Sequence, residues 1–275
     1  MDQFMIDLHC HMLPGIDDGP TDIGTSLAMA RAAVADGIRI VACTPHIYPG
    51  MYENTAQGIH HATDAFRAEL AAAAIPLELT FAADTHAMPD LLGRLQSGSV
   101  PTFNGGRYFL LEPPHHVAPP NFEEFVFRLV AAGYVPIITH PERLSWIEQD
   151  HTVFWRLARK GVWMQITSGS LTGRFGSAAK YWGERMLDEG LVHMLATDAH
   201  SLDYRPPLLA EGMEAASRWV GAEEARRLVE ERPAAVLRNE DPVRVSPIPA
   251  CAQNDNPPAR SFLAKMLDYI GASRQ

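Results

Sequence analysis

Short apolar runs alternate with longer amphipathic segments along most of the chain. Runs of four to seven mainly apolar residues, rich in Ile, Val, Leu and Ala, are typical of buried β-strands. The longer segments carry apolar residues at a spacing of three and four, which is typical of helices with one buried face. The predicted strands are 4–8, 38–43, 77–83, 108–111, 134–139, 162–166 and 191–196. The predicted helices are 26–36, 55–74, 89–96, 121–133, 152–160, 177–189 and two or three within 208–238.

Two local details follow from turn and capping residues. Asn121 is predicted to cap the helix that follows it, together with Glu124 in a pattern like a capping box. Residues 167–173, rich in Ser, Thr and Gly, are predicted to form a loop after the sixth strand.

Polar side chains follow the ends of the predicted strands. His9 and His11 close the first strand, and Glu112 and His140 follow two later ones. Strands that alternate with helices form parallel sheets, either open or closed into a barrel. In an open sheet the strand ends would lie along a line, whereas a barrel brings them together at one mouth. We therefore predict an α/β fold, a TIM-like barrel of seven strand–helix units that forms a single domain over residues 1–240.

The last part of the chain, residues 241–275, differs in composition from the predicted barrel. Residues 241–258 are rich in Pro, Asn and Ser, which predicts an extended, mobile linker. An amphipathic pattern over residues 261–270 predicts a short C-terminal helix. The sequence leaves two roles open for this helix: it packs on its own barrel, or it binds a partner or a membrane surface.

Charge and cysteine content exclude several classes of protein. The formal net charge is −10, so the chain lacks the basic surface with which proteins bind nucleic acid. The three cysteines, Cys10, Cys43 and Cys251, are too scattered for a disulfide framework. No apolar signal segment precedes the first predicted strand, and no apolar run is long enough to be a transmembrane segment. These features predict a soluble, cytoplasmic protein.

Five histidines and three carboxylates at the strand ends form a set of potential metal ligands. His9 and His11, two residues apart on an extended strand, point to the same side. Imidazole and carboxylate groups together suit Mn, Fe or Zn, and they are more numerous than one ion needs, so we predict two or three ions. Such clusters activate water and hold phosphoryl groups. The eight candidates are His9, His11, His46, Asp84, Glu112, His140, Asp198 and His200.

Taken singly, each candidate has a simpler explanation. His46 follows Thr-Pro in a turn, and Glu112 precedes two prolines in a loop. Their shared position at successive strand ends favours the metal site over these explanations. Cys10 lies between two candidate ligands and is expected to point the other way, into the core. His115 and His116 also follow a strand end, but the pattern assigns them no role.

Several longer motifs resemble those of a known superfamily. Residues 7–19, Asp-Leu-His-Cys-His-Met-Leu-Pro-Gly-Ile-Asp-Asp-Gly, resemble the opening of the polymerase and histidinol phosphatase (PHP) superfamily. Four further motifs are similar, in order and spacing, to those of the bacterial capsule and exopolysaccharide tyrosine-protein phosphatases within it. They are Thr44-Pro45-His46, His140-Pro141-Glu142-Arg143, Gln165-Ile166-Thr167-Ser168-Gly169-Ser170 and Thr197-Asp198-Ala199-His200. The resemblance extends over about residues 5–240.

The resemblance implies a distorted (β/α)7 barrel that binds three divalent ions, usually manganese, through the eight candidate ligands. It also implies that Arg143 and Arg205 hold the phosphate, a role that suits planar guanidinium groups. Asp18 is expected in the substrate cleft. His200, or another imidazole that binds no ion, is a candidate proton donor to the leaving phenoxide. The implied substrate is the phosphotyrosine tail of a bacterial tyrosine autokinase, which would link this protein to capsule and exopolysaccharide production.

One position departs from the family pattern. The family carries a bridging glutamate in a Gly-x-Glu context, whereas this chain has Ala82-Ala83-Asp84. Aspartate keeps the charge but is one methylene shorter, so we expect either a local shift of the backbone or weaker binding of one ion. His86, two residues further on, is expected in the cleft and is a candidate additional ligand on the same side.

Three other functions are alternatives to the tyrosine phosphatase that the resemblance implies. A cysteine phosphatase with a Cys-x5-Arg loop is excluded, because Ile16, Pro49 and Pro257 stand where the arginine should follow each cysteine. A histidinol-phosphate or other small-molecule phosphatase of the same fold remains open. A weakly active protein that only binds the kinase tail or the assembly system also remains open, should Asp84 fail to complete the metal site.

Overall fold

Ten β-strands and eleven α-helices form residues 4–252, the part of the chain that the computed structural model describes. The strands are β1 Met5–Cys10, β2 Ile38–Cys43, β3 His46–Tyr48, β4 Tyr52–Glu53, β5 Glu78–Phe81, β6 Asp84–His86, β7 Tyr108–Glu112, β8 Val135–Thr139, β9 Trp163–Thr167 and β10 Met194–Ala196. The helices are α1 Ile23–Asp36, α2 Ala56–Ala72, α3 Leu91–Gln96, α4 Phe122–Ala131, α5 Thr152–Ala158, α6 Ser168–Leu171, α7 Gly176–Asp188, α8 Ala210–Val220, α9 Ala222–Arg226, α10 Arg232–Leu237 and α11 Pro249–Ala252.

The strands form two sheets in which most neighbours are parallel. The first sheet has the order β1-β2-β5, and the second has the order β10-β9-β8-β7-β6-β3-β4. β3 and β4 form an antiparallel hairpin at one edge of the second sheet. The predicted α/β fold with parallel strands is therefore confirmed.

The predicted strand 77–83 corresponds to β5, and a separate short strand, β6, follows it; the two sheets separate between β5 and β6. β5 leads into β6 through Ala82-Ala83, and β2 leads into β3 through Thr44-Pro45. Pro45 has no N–H group to donate, which interrupts the hydrogen-bond ladder. The end of β1 is joined to the chain after β10 by hydrogen bonds from Asp198 N to His9 O (2.7 Å) and from His11 N to Ala199 O (2.9 Å). The sheets do not form one continuous closed ladder, so the barrel stays a prediction at this point.

The central strands are buried on both faces. Every residue of β1, β7, β8 and β9 is buried, as expected for parallel strands that helices cover on both sides. Helix boundaries follow local chemistry, as α1 shows. The side chain of Asp22 accepts a hydrogen bond from the backbone N–H of Thr25 at its start, and Gly37, with φ of +100°, ends it.

Two of the local predictions are wrong. Residues 167–173 were predicted to be a loop, but they contain α6. The buried carboxylate of Glu142 accepts hydrogen bonds from Thr167 N (3.0 Å) and Ser170 Oγ (2.7 Å) and so fixes this turn. Asn121 precedes α4 but makes no side-chain capping bond, because its backbone is left-handed (φ of +53°) and not extended as capping requires.

The predicted extended linker is also wrong for residues 241–252. This segment contains α11, and Ile248 is only 2% exposed. The guanidinium group of Arg232 donates hydrogen bonds to the carbonyl oxygens of Ser246 (3.1 Å) and Pro247 (3.2 Å). The segment therefore packs against the rest of the fold. The remainder of the predicted linker and the predicted helix 261–270 lie outside the described residues.

Within residues 4–252, no helix combines the length and the apolar character that crossing a lipid bilayer requires.

Candidate metal centre

All eight predicted ligands approach one another closely. His46 and Asp84 are the first residues of β3 and β6, and the other six lie at or shortly after the carboxyl ends of strands. Their ligand atoms form overlapping groups of three or four, and within each group these atoms lie within 4.8 Å of one another. Seven of the eight residues are buried, and His46 is partly buried. The position of polar residues after successive strands therefore identified side chains that do meet in space.

The two histidines of the first strand present their Nε2 atoms side by side, 3.1 Å apart. Nδ1 of His9 lies 2.9 Å from Oε1 of Gln165. Nδ1 of His11 lies 2.7 Å from Oδ2 of Asp17. An oxygen acceptor at this position holds the ring proton on Nδ1 and leaves the lone pair of Nε2 directed into the centre. Gln165 and Asp17 thus orient both rings so that their Nε2 atoms could bind a metal ion.

Asp84 reaches the centre despite its short side chain. Its Oδ2 lies 3.4 Å from Nε2 of His9 and 3.5 Å from Nδ1 of His46. Asp84 is fully buried, and neither carboxylate oxygen accepts a hydrogen bond from the described residues. Burial, together with the nearby carboxylate of Glu112, raises the pKa of Asp84. A buried carboxylate without donors is costly unless a cation lies beside it.

Glu112 lies among several imidazoles. Its Oε2 is 3.5 Å from Nδ1 of His46, and its Oε1 is 3.4 Å from Nε2 of His115 and 3.7 Å from Nε2 of His140. Burial opposes ionisation, but the surrounding imidazoles hold the pKa of Glu112 well below its usual value. His115, which was assigned no role from its position after a strand, belongs to a potential ligand group with Glu112 and His140.

A further group lies at the rim of the centre and includes Asp18. Oδ1 of Asp18 is 3.1 Å from Nε2 of His200 and 3.5 Å from Nε2 of His46. Nδ1 of His200 faces the carbonyl oxygen of Asp198 at 2.9 Å. A carbonyl oxygen only accepts, so Nδ1 carries the proton and Nε2 is free to bind an ion. Asp18 was predicted as a cleft residue, and its geometry is that of a potential ligand.

Asp198 joins the metal centre to a pair of arginines. Its Oδ1 lies 3.2 Å from Nε2 of His9 and 3.5 Å from Nε2 of His11. Its Oδ2 accepts hydrogen bonds from Arg143 and from Arg205. Burial opposes ionisation, but the two arginines and His9 hold the pKa of Asp198 well below its usual value. The two predicted phosphate-binding arginines therefore lie at the edge of the metal centre.

Two of the ligands adopt a left-handed backbone conformation. The φ angles are +35° at His140 and +52° at Asp198. Each residue comes shortly after a strand, β8 and β10 respectively. This conformation costs a non-glycine residue on the order of 1–3 kcal/mol, and it often occurs at functional sites. No sequence pattern signals these two turns.

His86 lies beside the centre. Its ring stacks on Tyr48, with centroids 3.9 Å apart and an interplanar angle of 6°. Its Nδ1 is 3.8 Å from Oε2 of Glu112, and His86 is in none of the ligand groups formed by the described residues. The geometry fits a residue that supports Glu112 and lines the cleft.

Three residues that hold the candidate ligands in place, Asp7, Asp17 and Gln165, were not predicted from the sequence. Asp17 and Gln165 stand inside the recognised motifs but carried no assigned role. Asp7, fully buried, accepts hydrogen bonds from the N–H groups of His9 (3.2 Å) and Thr197 (3.0 Å) and ties β1 to the chain after β10. The one available signal was a polar side chain inside a buried strand, which applies to Asp7 and Gln165 but not to Asp17.

The centre has the chemistry expected of a site for divalent ions. Buried polar atoms that face it and lack a hydrogen-bond partner among the described residues include Nδ1 of His46, both oxygens of Asp84 and Nε2 of His200. Such atoms are rare in proteins unless water or an ion satisfies them. Mixed nitrogen and oxygen ligands suit Mn, Fe or Zn, and overlapping groups suit more than one ion.

The thiol of Cys10 is not part of the centre. It is fully buried, and its Sγ lies 3.9 Å from the carbonyl oxygen of Ala199. Burial raises the pKa of the thiol well above its usual value, so it lacks the thiolate character of a nucleophile.

Known proteins resemble this chain in both sequence and fold. A family model described as capsular polysaccharide synthesis, CpsB/CapC, matches residues 5–238. Tyrosine-protein phosphatase YwqE of Bacillus subtilis is 35% identical over 245 residues, which cover 89% of this chain and 96% of that protein. Tyrosine-protein phosphatase CpsB of Streptococcus agalactiae is 28% identical over 244 residues, covering 86% and 99%.

A solved structure agrees with these sequence matches. It comes from a study of YwqE from Bacillus subtilis and CpsB from Streptococcus pneumoniae, described as unique metal-dependent tyrosine phosphatases. It superposes with a TM-score of 0.84 at 33% identity and covers 93% of this chain and 100% of its own. From these matches and from the site described above, we conclude that this chain belongs to the CpsB/CapC family of capsular polysaccharide synthesis.

Proposed function

We propose that this protein is a metal-dependent protein-tyrosine phosphatase, a phosphoric monoester hydrolase that uses no cysteine nucleophile. The observation that carries the proposal is the position of Asp198 between the histidines and the arginines. One of its oxygens faces the ligand histidines, and the other accepts hydrogen bonds from Arg143 and Arg205. A phosphoryl group at this point would meet the ions on one side and two guanidinium groups on the other. The names of the relatives support phosphotyrosine as the substrate.

The proposed architecture is a distorted (β/α)7 barrel made from the two sheets. β2 continues into β3, and β5 continues into β6, so each pair would form one bent strand of the barrel. The hydrogen bonds between the end of β1 and the chain after β10 support closure on the remaining side. A barrel explains why ligands from strands distant in sequence meet at one mouth.

Manganese is the proposed metal, in two or three ions per chain. His9, His11, His46, Asp84, Glu112, His140, Asp198 and His200 would hold them, with Asp18 and His115 within reach. When bound, the ions supply positive charge that lowers the pKa of a water molecule and neutralises phosphoryl oxygens. Asp84, which like several of these residues lies in two of the potential ligand groups, would be one of the residues that hold them.

Arg143 and Arg205 are proposed to bind the equatorial oxygens of the phosphoryl group. Guanidinium groups stay protonated and present planar pairs of donors, which suits phosphate oxygens. The carboxylate of Asp198 holds both groups in place before the substrate arrives. Such preorganisation reduces the cost of stabilising charge as it develops in the transition state.

The leaving group needs little assistance. A tyrosyl phenoxide has a pKa near ~10, so its departure depends weakly on a proton donor. His200 was a candidate donor, but its Nδ1–H is directed at the Asp198 carbonyl oxygen and its Nε2 at the Asp18 carboxylate. This arrangement favours His200 as a ligand over His200 as an acid.

The proposed substrate is the phosphotyrosine tail of a bacterial tyrosine autokinase in the cytoplasm. Removal of phosphate from such a tail would regulate capsule or exopolysaccharide production. The family description, capsular polysaccharide synthesis, supports this setting.

The proposal is tested by measuring phosphate release from a tyrosine-phosphorylated peptide in the presence of manganese. We expect turnover that a chelator stops, that added manganese restores, and that thiol alkylation leaves intact. Turnover that survives complete chelation would rule the proposal out. Faster hydrolysis of histidinol phosphate than of the peptide would favour the small-molecule alternative.

A further inference from the structure

A small depression opens beside the metal centre, on the side of the two arginines. It encloses about 260 Å³ and is lined by His115, Arg143, Leu144, Phe175, Ala179 and Trp182, among others. Two of these residues belong to the site already described, because His115 contacts Glu112 and Arg143 contacts Asp198. The depression therefore adjoins the proposed binding position of the phosphoryl group.

Phe175 forms a fixed wall of this depression. The guanidinium carbon of Arg143 lies 4.3 Å from the centroid of the Phe175 ring, and that of Arg205 lies 5.9 Å from it. Phe175 also packs on α6, where a Cβ atom added at Gly169 would lie 3.0 Å from Phe175 Cε2. The ring is held between the arginine pair and the backbone of α6, so its orientation is set before any ligand binds.

The size of the depression and the apolar part of its lining fit one aromatic ring, although Glu142, Ser145 and Glu148 also line it. A cavity of about 150 Å³ accommodates benzene, so about 260 Å³ is large enough for a phenol ring. Leu144, Ala179 and Trp182 contribute buried apolar surface. Aromatic rings pack favourably against other rings in offset or edge-to-face geometry.

A second and larger groove offers no comparable connection. It encloses about 490 Å³ between the segments that contain Met88 and Pro119. Its lining includes none of the potential ligands or phosphate-binding arginines. The smaller depression is therefore the better candidate for the part of the substrate next to phosphorus.

We propose that this depression, defined by His115, Arg143, Leu144, Phe175, Ala179 and Trp182 and here named the aryl slot, binds the phenol ring of phosphotyrosine. Phe175 is its specificity-determining residue. The aryl slot rests on the proposed phosphatase function and adds a reason why an aryl phosphate is preferred over an alkyl phosphate. Phosphoserine would leave the slot unfilled and gain no contact with Phe175.

The test measures the affinity of the manganese-loaded full chain for two non-hydrolysable analogues, phenylphosphonate and methylphosphonate. We expect the wild type to bind phenylphosphonate about tenfold more tightly, as ring packing of this kind provides. In Phe175→Ala and in Phe175→Leu this preference should fall to about twofold or less. Phe175→Tyr, which keeps the ring, should retain it.

A control variant checks that the effect is specific to Phe175, and different results would overturn the aryl slot and the proposed function. Phe127→Ala removes a half-exposed ring from α4, away from the centre, and should leave the preference unchanged. A preference that persists in both Phe175→Ala and Phe175→Leu would overturn the aryl slot, even where the affinity for both analogues falls together. Failure of the wild type to release phosphate from a phosphotyrosine peptide would instead overturn the proposed function.

Discussion

Replacement of Asp84 by asparagine should separate the stability of the metal-free protein from its affinity for metal. Both carboxylate oxygens of Asp84 are buried without a donor, and the carboxylate of Glu112 lies nearby. Removing this charge relieves an unfavourable interaction, so metal-free Asp84→Asn should be at least as stable as the metal-free wild type. The same change removes a ligand that belongs to two groups, so metal binding should weaken.

The size of the effect follows from linkage. At a manganese concentration of about a hundred times the wild-type Kd, binding stabilises the fold by about 2.7 kcal/mol. If loss of the carboxylate raises Kd about a hundredfold, the same concentration adds only about 0.4 kcal/mol. The difference of about 2.3 kcal/mol corresponds to about 5–9 °C in Tm for a domain of this size.

The assay is thermal unfolding of wild type, Asp84→Asn and Asp84→Glu, each with chelator and with manganese. Asp84→Glu keeps the charge that the family glutamate provides, so its manganese-induced rise in Tm should be close to that of the wild type. Equal manganese-induced shifts in the wild type and Asp84→Asn would refute the assignment of Asp84 as a ligand.

Three further predictions concern the residues around the centre. Arg143→Lys keeps a positive charge but loses the planar pair of donors, so kcat/KM for a phosphotyrosine peptide should fall about tenfold to a hundredfold while bound manganese is unchanged; Arg174→Lys, at the surface nearby, should have no such effect. Gln165→Leu removes the acceptor of His9 Nδ1, so manganese affinity measured by calorimetry should fall about tenfold to a hundredfold, and an unchanged affinity would contradict the orienting role. Burial raises the pKa of Asp7 from 3.8 to about 6, so the folded state retains a proton that the unfolded chain releases between these values. Its stabilising contribution is complete below about pH 4 and is lost as the pH rises through 6, so urea unfolding without metal should show the wild type losing about 3 kcal/mol relative to Asp7→Asn over this range; a constant difference would contradict the shift.

Much of the fold and of the ligand set was predictable because each depends on a regular spacing. Parallel strands buried on both faces leave long apolar runs, and the residues that follow those runs must lie at one edge. That reasoning placed His9, Glu112 and His140 correctly. Arg143 and Arg205 came from the resemblance to the phosphatase family and not from this spacing, and both lie beside the centre.

The rest depends on contacts that have no spacing rule. Gln165 and Asp17 orient ligands across the fold, and a glutamine in a buried strand gives no sign of its partner. α6 forms because Glu142, distant in sequence, accepts hydrogen bonds from its first turn. The packing of residues 241–252 depends on Arg232, which donates hydrogen bonds to backbone carbonyl oxygens of this segment. Amino-acid composition does not predict such contacts.

Whether the short side chain of Asp84 reaches the other candidate ligands could not be predicted from the sequence. From the sequence, a side chain one methylene short suggested an incomplete site. In the structure Oδ2 lies 3.4 Å from Nε2 of His9 and 3.5 Å from Nδ1 of His46, so the shorter side chain reaches the other candidate ligands. The proposal of a lapsed, binding-only protein loses its main support.

The central claim is that the strand-end cluster is a multinuclear metal centre that drives phosphotyrosine hydrolysis. The most direct measurement is elemental analysis of the purified chain after manganese loading, paired with phosphopeptide turnover on the same sample. The account predicts two or three ions per chain and a rate that rises and falls with their number. A fully active protein with one ion or none per chain would contradict it.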